Sequence, residues 1–187
     1  VPGLIINFVK HCCKIYHNLA FFGKIGSSNG TIAYATANPT TFIKYNSSNE
    51  DWYYTGSSST DNTRWTTSES NKSIYDPCPA DWRVPDGGSN GVWLKANGSG
   101  SSFNVNYDSA HEGINFSGKF GSASTIWYPA SGYRFNVGSL DDVGSYGNYW
   151  SASPSNYYAY CLNFDSNGRV YPSSGFNRAT GRSVRCL

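Results

Sequence analysis

Charged side chains are scarce: they make up 14% of 187 residues, and 14 Lys and Arg face 12 Asp and Glu for a formal net charge of +2. Charge this weak, with no Lys/Arg run, excludes the basic footprint that nucleic-acid binding requires. Methionine and glutamine are absent altogether. No uninterrupted apolar stretch reaches membrane-spanning length (about 18 residues), so no transmembrane span is expected. Catalytic signatures are missing as well. His111 is the only histidine outside the leading segment and no nucleophile elbow accompanies it. Asp141 and Asp142 are chain neighbours that point opposite ways on an extended backbone, which is wrong for paired acid and base work. The 9 Asp and 3 Glu are dispersed without the Asp-x-Asp spacing of a calcium loop. Neither phosphate-cradling glycine motif occurs; Gly113–Lys119 comes nearest, but Phe120 stands where a metal-binding hydroxyl is needed. The expectation is a non-enzyme with no catalytic residues, metal ligands or cofactors.

What is plentiful is aromatic surface and turn formers: 15 Tyr, 10 Phe, 6 Trp, 20 Gly and 8 Pro. The aromatics can fill a core, and the scattered Gly and Pro predict many short strands rather than long helices. Residues 4–25 differ. Leu4, Phe8, Cys12, Ile15, Tyr16, Leu19 and Phe22 follow helical spacing with polar residues opposite, so residues 1–30 are set apart as an amphipathic segment and linker of unknown role. The domain proper is residues 31–187. Its predicted strands are Thr31–Ala35, Thr41–Tyr45, Gly113–Phe120, Thr125–Tyr128, Gly132–Phe135, Tyr149–Ser153, Tyr157–Phe164, Arg169–Tyr171 and Ser183–Cys186, with one helix over Ser89–Ala96. Five cysteines, Cys12, Cys13, Cys78, Cys161 and Cys186, form no zinc-like pairing and allow at most two disulfides. The charge-poor, Ser/Asn/Tyr-rich composition suits an outside-facing protein.

Strand alternation in Tyr157–Asp165 puts Tyr158, Tyr160, Leu162 and Phe164 on one face, read as core. Tyr157, Ala159, Cys161, Asn163 and Asp165 fall on the other, read as displayed. After a Ser166-Asn167-Gly168 turn, Val170 points inward while Arg169 and Tyr171 point outward. A loop over residues 173–177 then carries Phe176, and Thr180 and Arg182 precede a closing strand. An outward mixture of Tyr, Arg, Ser, Asn, Asp and Phe has the makeup of a paratope.

The ordered motifs Cys78-Pro-Ala-Asp-Trp-Arg-Val-Pro85, Ala130-Ser-Gly-Tyr-Arg134, Tyr149-Trp-Ser-Ala-Ser153 and Ser183-Val-Arg-Cys186 resemble the Fibrobacter succinogenes major paralogous domain family. The resemblance covers residues 31–187 and implies an α+β, C-type-lectin-like fold: a mostly antiparallel, short-stranded sheet with one or two short helices. The tail is similar, more specifically, to the variable proteins of diversity-generating retroelements. There, mutated asparagine codons never yield Lys, Glu, Gln, Met or Trp, and none of these follows Trp150 here. The implied function is non-catalytic binding of a protein or glycan on another cell or phage, by a protein on a cell surface or phage particle. The implied variable region is residues 151–182, with Tyr157, Tyr158, Cys161, Asn163, Asp165, Ser166, Arg169, Tyr171, Ser174, Phe176, Asn177, Thr180 and Arg182 as ligand-binding positions. Tyr158 is included although alternation turns it inward. The resemblance also implies that Cys78 and Cys186 lie close enough for a disulfide, leaving Cys161 as a displayed free thiol. Trp82 and Trp150, inside the motifs, and Trp127, three residues ahead of the second, are expected in the core. The rival readings are an adhesin-tip or structural domain without diversification, and an oxidase of the formylglycine-generating kind, which would need Cys161 exposed.

Overall fold

The computed structural model describes residues 22–24, 30–38, 41–44, 51–53, 62, 72, 76–97, 103–116, 126–135 and 138–187. Among these residues the architecture is α+β, with two short α-helices and mostly antiparallel strands in small sheets.

The principal sheet is built from the last third of the chain, where alternation and turn signals are strongest. Strands β9 (Tyr146–Ser155), β10 (Tyr158–Asp165) and β11 (Arg169–Asn177) form a meander with β10 in the centre, and the two-residue β3 (Phe103–Asn104) lies on the outer side of β11. The β9–β10 connection is a two-residue turn in which Asn156 takes φ 52°, a left-handed conformation that asparagine tolerates. The β10–β11 turn closes at Gly168, φ 76°, whose N–H bonds the Asp165 carbonyl at 2.9 Å. Gly168 also lies hard against the Val105 backbone, so no side chain fits there.

One face of this sheet packs on the main core: Trp93, Ile114, Phe116, Tyr128, Ala130, Tyr149, Leu162, Phe164 and Val170. Leu162 and Phe164 are buried as alternation predicts. The rings of Phe116, Tyr128 and Tyr149 meet edge to face at 5.0 and 4.9 Å, a favoured aromatic geometry, and Trp93 Nε1 donates to the Tyr128 hydroxyl at 3.2 Å. Two small sheets flank the principal one. The first comprises β4 (Tyr107–Asp108), β5 (Gly113–Asn115) and β6 (Trp127–Pro129); the second comprises β7 (Tyr133–Arg134) and β8 (Leu140–Asp141).

Several sequence expectations are corrected. Thr31–Ala35 is not a strand: Thr31 accepts a hydrogen bond from the Tyr34 N–H at 3.1 Å and caps helix α1 (Ile32–Ala37), whose alternate alanines favour helix. The Ser89–Ala96 helix is broken by Gly91 into a 3-10 turn (Gly88–Asn90) and α2 (Val92–Asn97). Phe22, placed by spacing on a helix, belongs to β1 (Phe22–Lys24), which pairs in parallel with β2 (Phe42–Lys44); residues 4–21 lie outside the described residues. Residues 173–177 are no loop but the continuation of β11. The predicted strand Ser183–Cys186 reduces to one parallel bridge between Ser183 and Tyr149. Trp150 is buried, Trp127 is half-buried, and Trp82 is 53% exposed rather than core.

Candidate ligand-binding surface

The face of β10 that alternation marks as displayed is covered. Cys161 packs there with Trp150 and Ala152 of β9, beneath Cys78, Val84 and Val184, with Ala159, Phe176 and Cys186 alongside. The cover has two parts. Residues 76–86 dock on β9, where the Ala152 N–H bonds the Pro85 carbonyl at 2.8 Å and the Gly87 N–H bonds Ser153 Oγ at 3.0 Å. The C-terminal segment returns along the free edge of β9, where the Trp150 N–H bonds the Ser183 carbonyl at 2.9 Å. Cys78 and Cys186 are disulfide-bonded with Cα atoms 5.7 Å apart, and so join the two parts, as the resemblance implies.

Five of the thirteen expected binding residues are consequently buried, which corrects their assignment to a displayed surface. Cys161 is a free thiol, as expected, but 0% exposed, and burial pushes its pKa up to about 11. Arg182 is 2% exposed. Its guanidinium carbon lies 3.7 Å from the Phe176 ring centroid, 4.8 Å from that of Tyr133 and 5.3 Å from that of Trp150, an aromatic enclosure that favours a cation. Arg182 Nε donates to Thr180 Oγ1 at 3.0 Å, and Nη1 donates to Asn148 Oδ1, which also accepts from Asn163 Nδ2 at 2.9 Å. Thr180 and Asn163 are therefore buried members of one polar network, and burial lowers the Arg182 pKa. Asp165, also buried, turns its carboxylate onto its own hairpin. It accepts from the N–H groups of Asn167 and Arg169 at 2.9 and 3.2 Å and from Arg169 Nε at 2.7 Å.

The other eight stay at the surface and divide between the two ends of the β10–β11 hairpin. At the β9–β10 turn Tyr157 is 57% and Tyr158 40% exposed; Ser174, Phe176 and Asn177 are half-buried beside them on β11, with Asn177 opposite Tyr158 and Ser174 opposite Cys161. At the β10–β11 turn Ser166 and Arg169 are exposed and Tyr171 is half-buried. Eight residues of strand separate the ends by about 25 Å, so the surface is two patches rather than one.

Each patch is held by residues that alternation alone does not single out. At the first, buried Arg178 donates to the carbonyls of Tyr158 at 2.9 Å and Asn156 at 2.7 Å, and pairs with Asp51 at 3.6 Å. This fixes the turn on both sides of Tyr157. At the second, a cleft of about 530 Å³ opens between the β10–β11 turn and residues 104–106, lined by Asn104, Val105, Asn106, Asn167 and Arg169. The available sequence signal for it is the Asn-Val-Asn run, whose two carboxamides share one side of an extended chain.

Among the described residues no group of three His, Cys, Asp or Glu could hold a metal ion. His111 Nδ1 meets Asp108 Oδ2 at 2.7 Å, and this bond holds the Asp108 pKa below the usual aspartate value. Asp108 spends its other oxygen on the N–H groups of Ala110 and His111, the arrangement of a turn. No family model, curated protein or solved structure matches this chain. No helix among the described residues is long and apolar enough to cross a membrane.

Proposed function

We propose that this chain is a non-catalytic ligand-binding domain of C-type-lectin-like type, working outside the cell or on a phage particle, whose C-terminal surface is diversified by a retroelement. The reading is supported above all by the β9–β10 turn. Tyr157 and Tyr158 hold large, exposed rings on a backbone that buried Arg178 pins from beneath. Aromatic side chains with few rotatable bonds on a rigid support lose little entropy when a partner covers them. The partner class is a protein or glycan on another cell or phage. The oxidase alternative is disfavoured because Cys161, which it needs at the surface, is buried with a raised pKa.

The variable set in this reading is narrower than the thirteen positions the resemblance implies: Tyr157, Tyr158, Ser166, Arg169, Tyr171, Ser174, Phe176 and Asn177. The flanking DNA tests it. A reverse-transcriptase gene and a near-copy of the terminal coding segment are expected, with differences between related copies concentrated at those eight positions. Copies that vary as freely at Cys161, Asn163, Asp165, Thr180 and Arg182, or flanks without the gene, would overturn it.

A further inference from the structure

The cleft at the β10–β11 turn has a chemistry unlike that of the tyrosine-bearing tip. Its floor forms because Gly168 and Val105 come into backbone contact: the Val105 N–H bonds the Gly168 carbonyl at 2.8 Å, and a β-carbon at position 168 would lie 1.9 Å from the Val105 oxygen. Around that floor stand the exposed carboxamides of Asn104, Asn106 and Asn167. None of the three makes a side-chain hydrogen bond to the described residues. The fourth polar wall is Arg169, held by Asp165 through Nε and Nη2, both at 2.7 Å. Asp165 is itself clamped by two backbone N–H groups, so the guanidinium is presented in a fixed orientation. Its charge is cancelled locally by the buried carboxylate, which leaves the described lining formally neutral.

We infer that this cleft is a binding site for a neutral saccharide. Each carboxamide offers a donor and an acceptor side by side, which matches the paired hydroxyls of a vicinal diol, and three of them converge here. The neutral Arg169–Asp165 pair gives no net attraction to an anionic group. Among the described lining residues Val105 alone is apolar, so they offer none of the apolar pockets a peptide's side chains would need. Its volume falls within the range of about 300–1,000 Å³ common for small-ligand sites. The inference rests on the binding reading and deepens it at one of its two patches, without drawing on Tyr157 or Tyr158.

Saturation-transfer NMR on the intact chain tests it, with a panel of neutral hexose oligosaccharides, the matching uronic acids, sulfated forms and a tetra-asparagine peptide as probes. Neutral oligosaccharides are expected to give the signal, and Asn106→Ala with Asn167→Ala should weaken it at least tenfold while the thermal midpoint holds. Leu140→Ser, at an exposed position outside both patches, should leave it unchanged, and Tyr157→Ala with Tyr158→Ala is measured alongside. Loss of signal only in the tyrosine variant would assign saccharide binding to the tip and reject the cleft. A stronger response from the acidic probes or the peptide, or none from any probe, would also reject it. Either result leaves the tip to be judged by its own genetic test.

Discussion

Cys161 shows most sharply how a residue's chemistry follows from what covers it. On a displayed strand a thiol would titrate near its ordinary value and react with alkylating agents. Packed among Trp150, Ala152 and Val184, it keeps its proton up to about pH 11. The folded pKa is raised above the unfolded one, so this group's contribution to stability is complete below pH 9.0 and declines between there and about 11, as the unfolded thiol ionises first. The decline is on the order of 2 kcal/mol by the linkage of pKa to stability. Urea unfolding at pH 8 and 10.5 should therefore show a smaller loss in Cys161→Ala than in the parent, because tyrosine ionisation is common to both. Native iodoacetamide treatment should leave Cys161 unmodified until the protein is unfolded. Rapid labelling of the folded protein would mean that the face is open after all. Arg182 belongs to the same face. A buried cation without a carboxylate partner among the described residues is held instead by aromatic rings and an Asn-Thr network.

At the level of elements, the meander was the most legible part of the chain. Alternation put Leu162, Phe164 and Val170 inward, and Ser166-Asn167-Gly168 marked the turn; the structure agrees on each. Gly168 is the position at which local sequence and tertiary packing coincide, since it needs both a left-handed backbone and the absence of a β-carbon. Gly168→Ala should destabilise by about 2–5 kcal/mol, combining conformational strain with the collision at Val105. A midpoint shift in chemical denaturation measures it, and a neutral result would place Val105 elsewhere. What alternation could not reveal is whether a sheet has one wet face or none. Period-two patterning distinguishes two faces of a strand, but a face carrying Cys, Asn and Asp reads as solvent-facing unless a later segment covers it. Here residues 76–86 and 178–187 do so, and both are irregular backbone without a period to read. The same limit hid α1, where a Thr cap and alanines act through a helix only six residues long.

Over the whole molecule, the decisive link is the Cys78–Cys186 bond, because it joins the two covering segments over the sheet. The Arg83 and Leu187 backbones exchange hydrogen bonds at 3.0 Å beside it, so the two segments are held together by three connections within a few residues. A bridge closing 108 residues of sequence contributes about 4–5 kcal/mol in the chain-entropy model. Cys78→Ser with Cys186→Ser should lower the unfolding free energy by that order and, more tellingly, loosen the cover. Cys161 should then become alkylatable at denaturant concentrations at which the parent protein still protects it. The order of events separates two pictures of the fold. If Cys161 opens while β9–β11 stay protected from hydrogen exchange, the sheet is an independent scaffold and the two segments are a clasp laid over it. If exchange protection of β10 collapses together with thiol protection, the covered face is integral to the sheet's stability, and substitutions at Asn163, Thr180 and Arg182 would be tolerated no better than those in the core. The shared packing of Trp150 and Cys161 with Val84 and Val184 favours the second outcome, because removing the cover exposes the centre of the sheet rather than its margin.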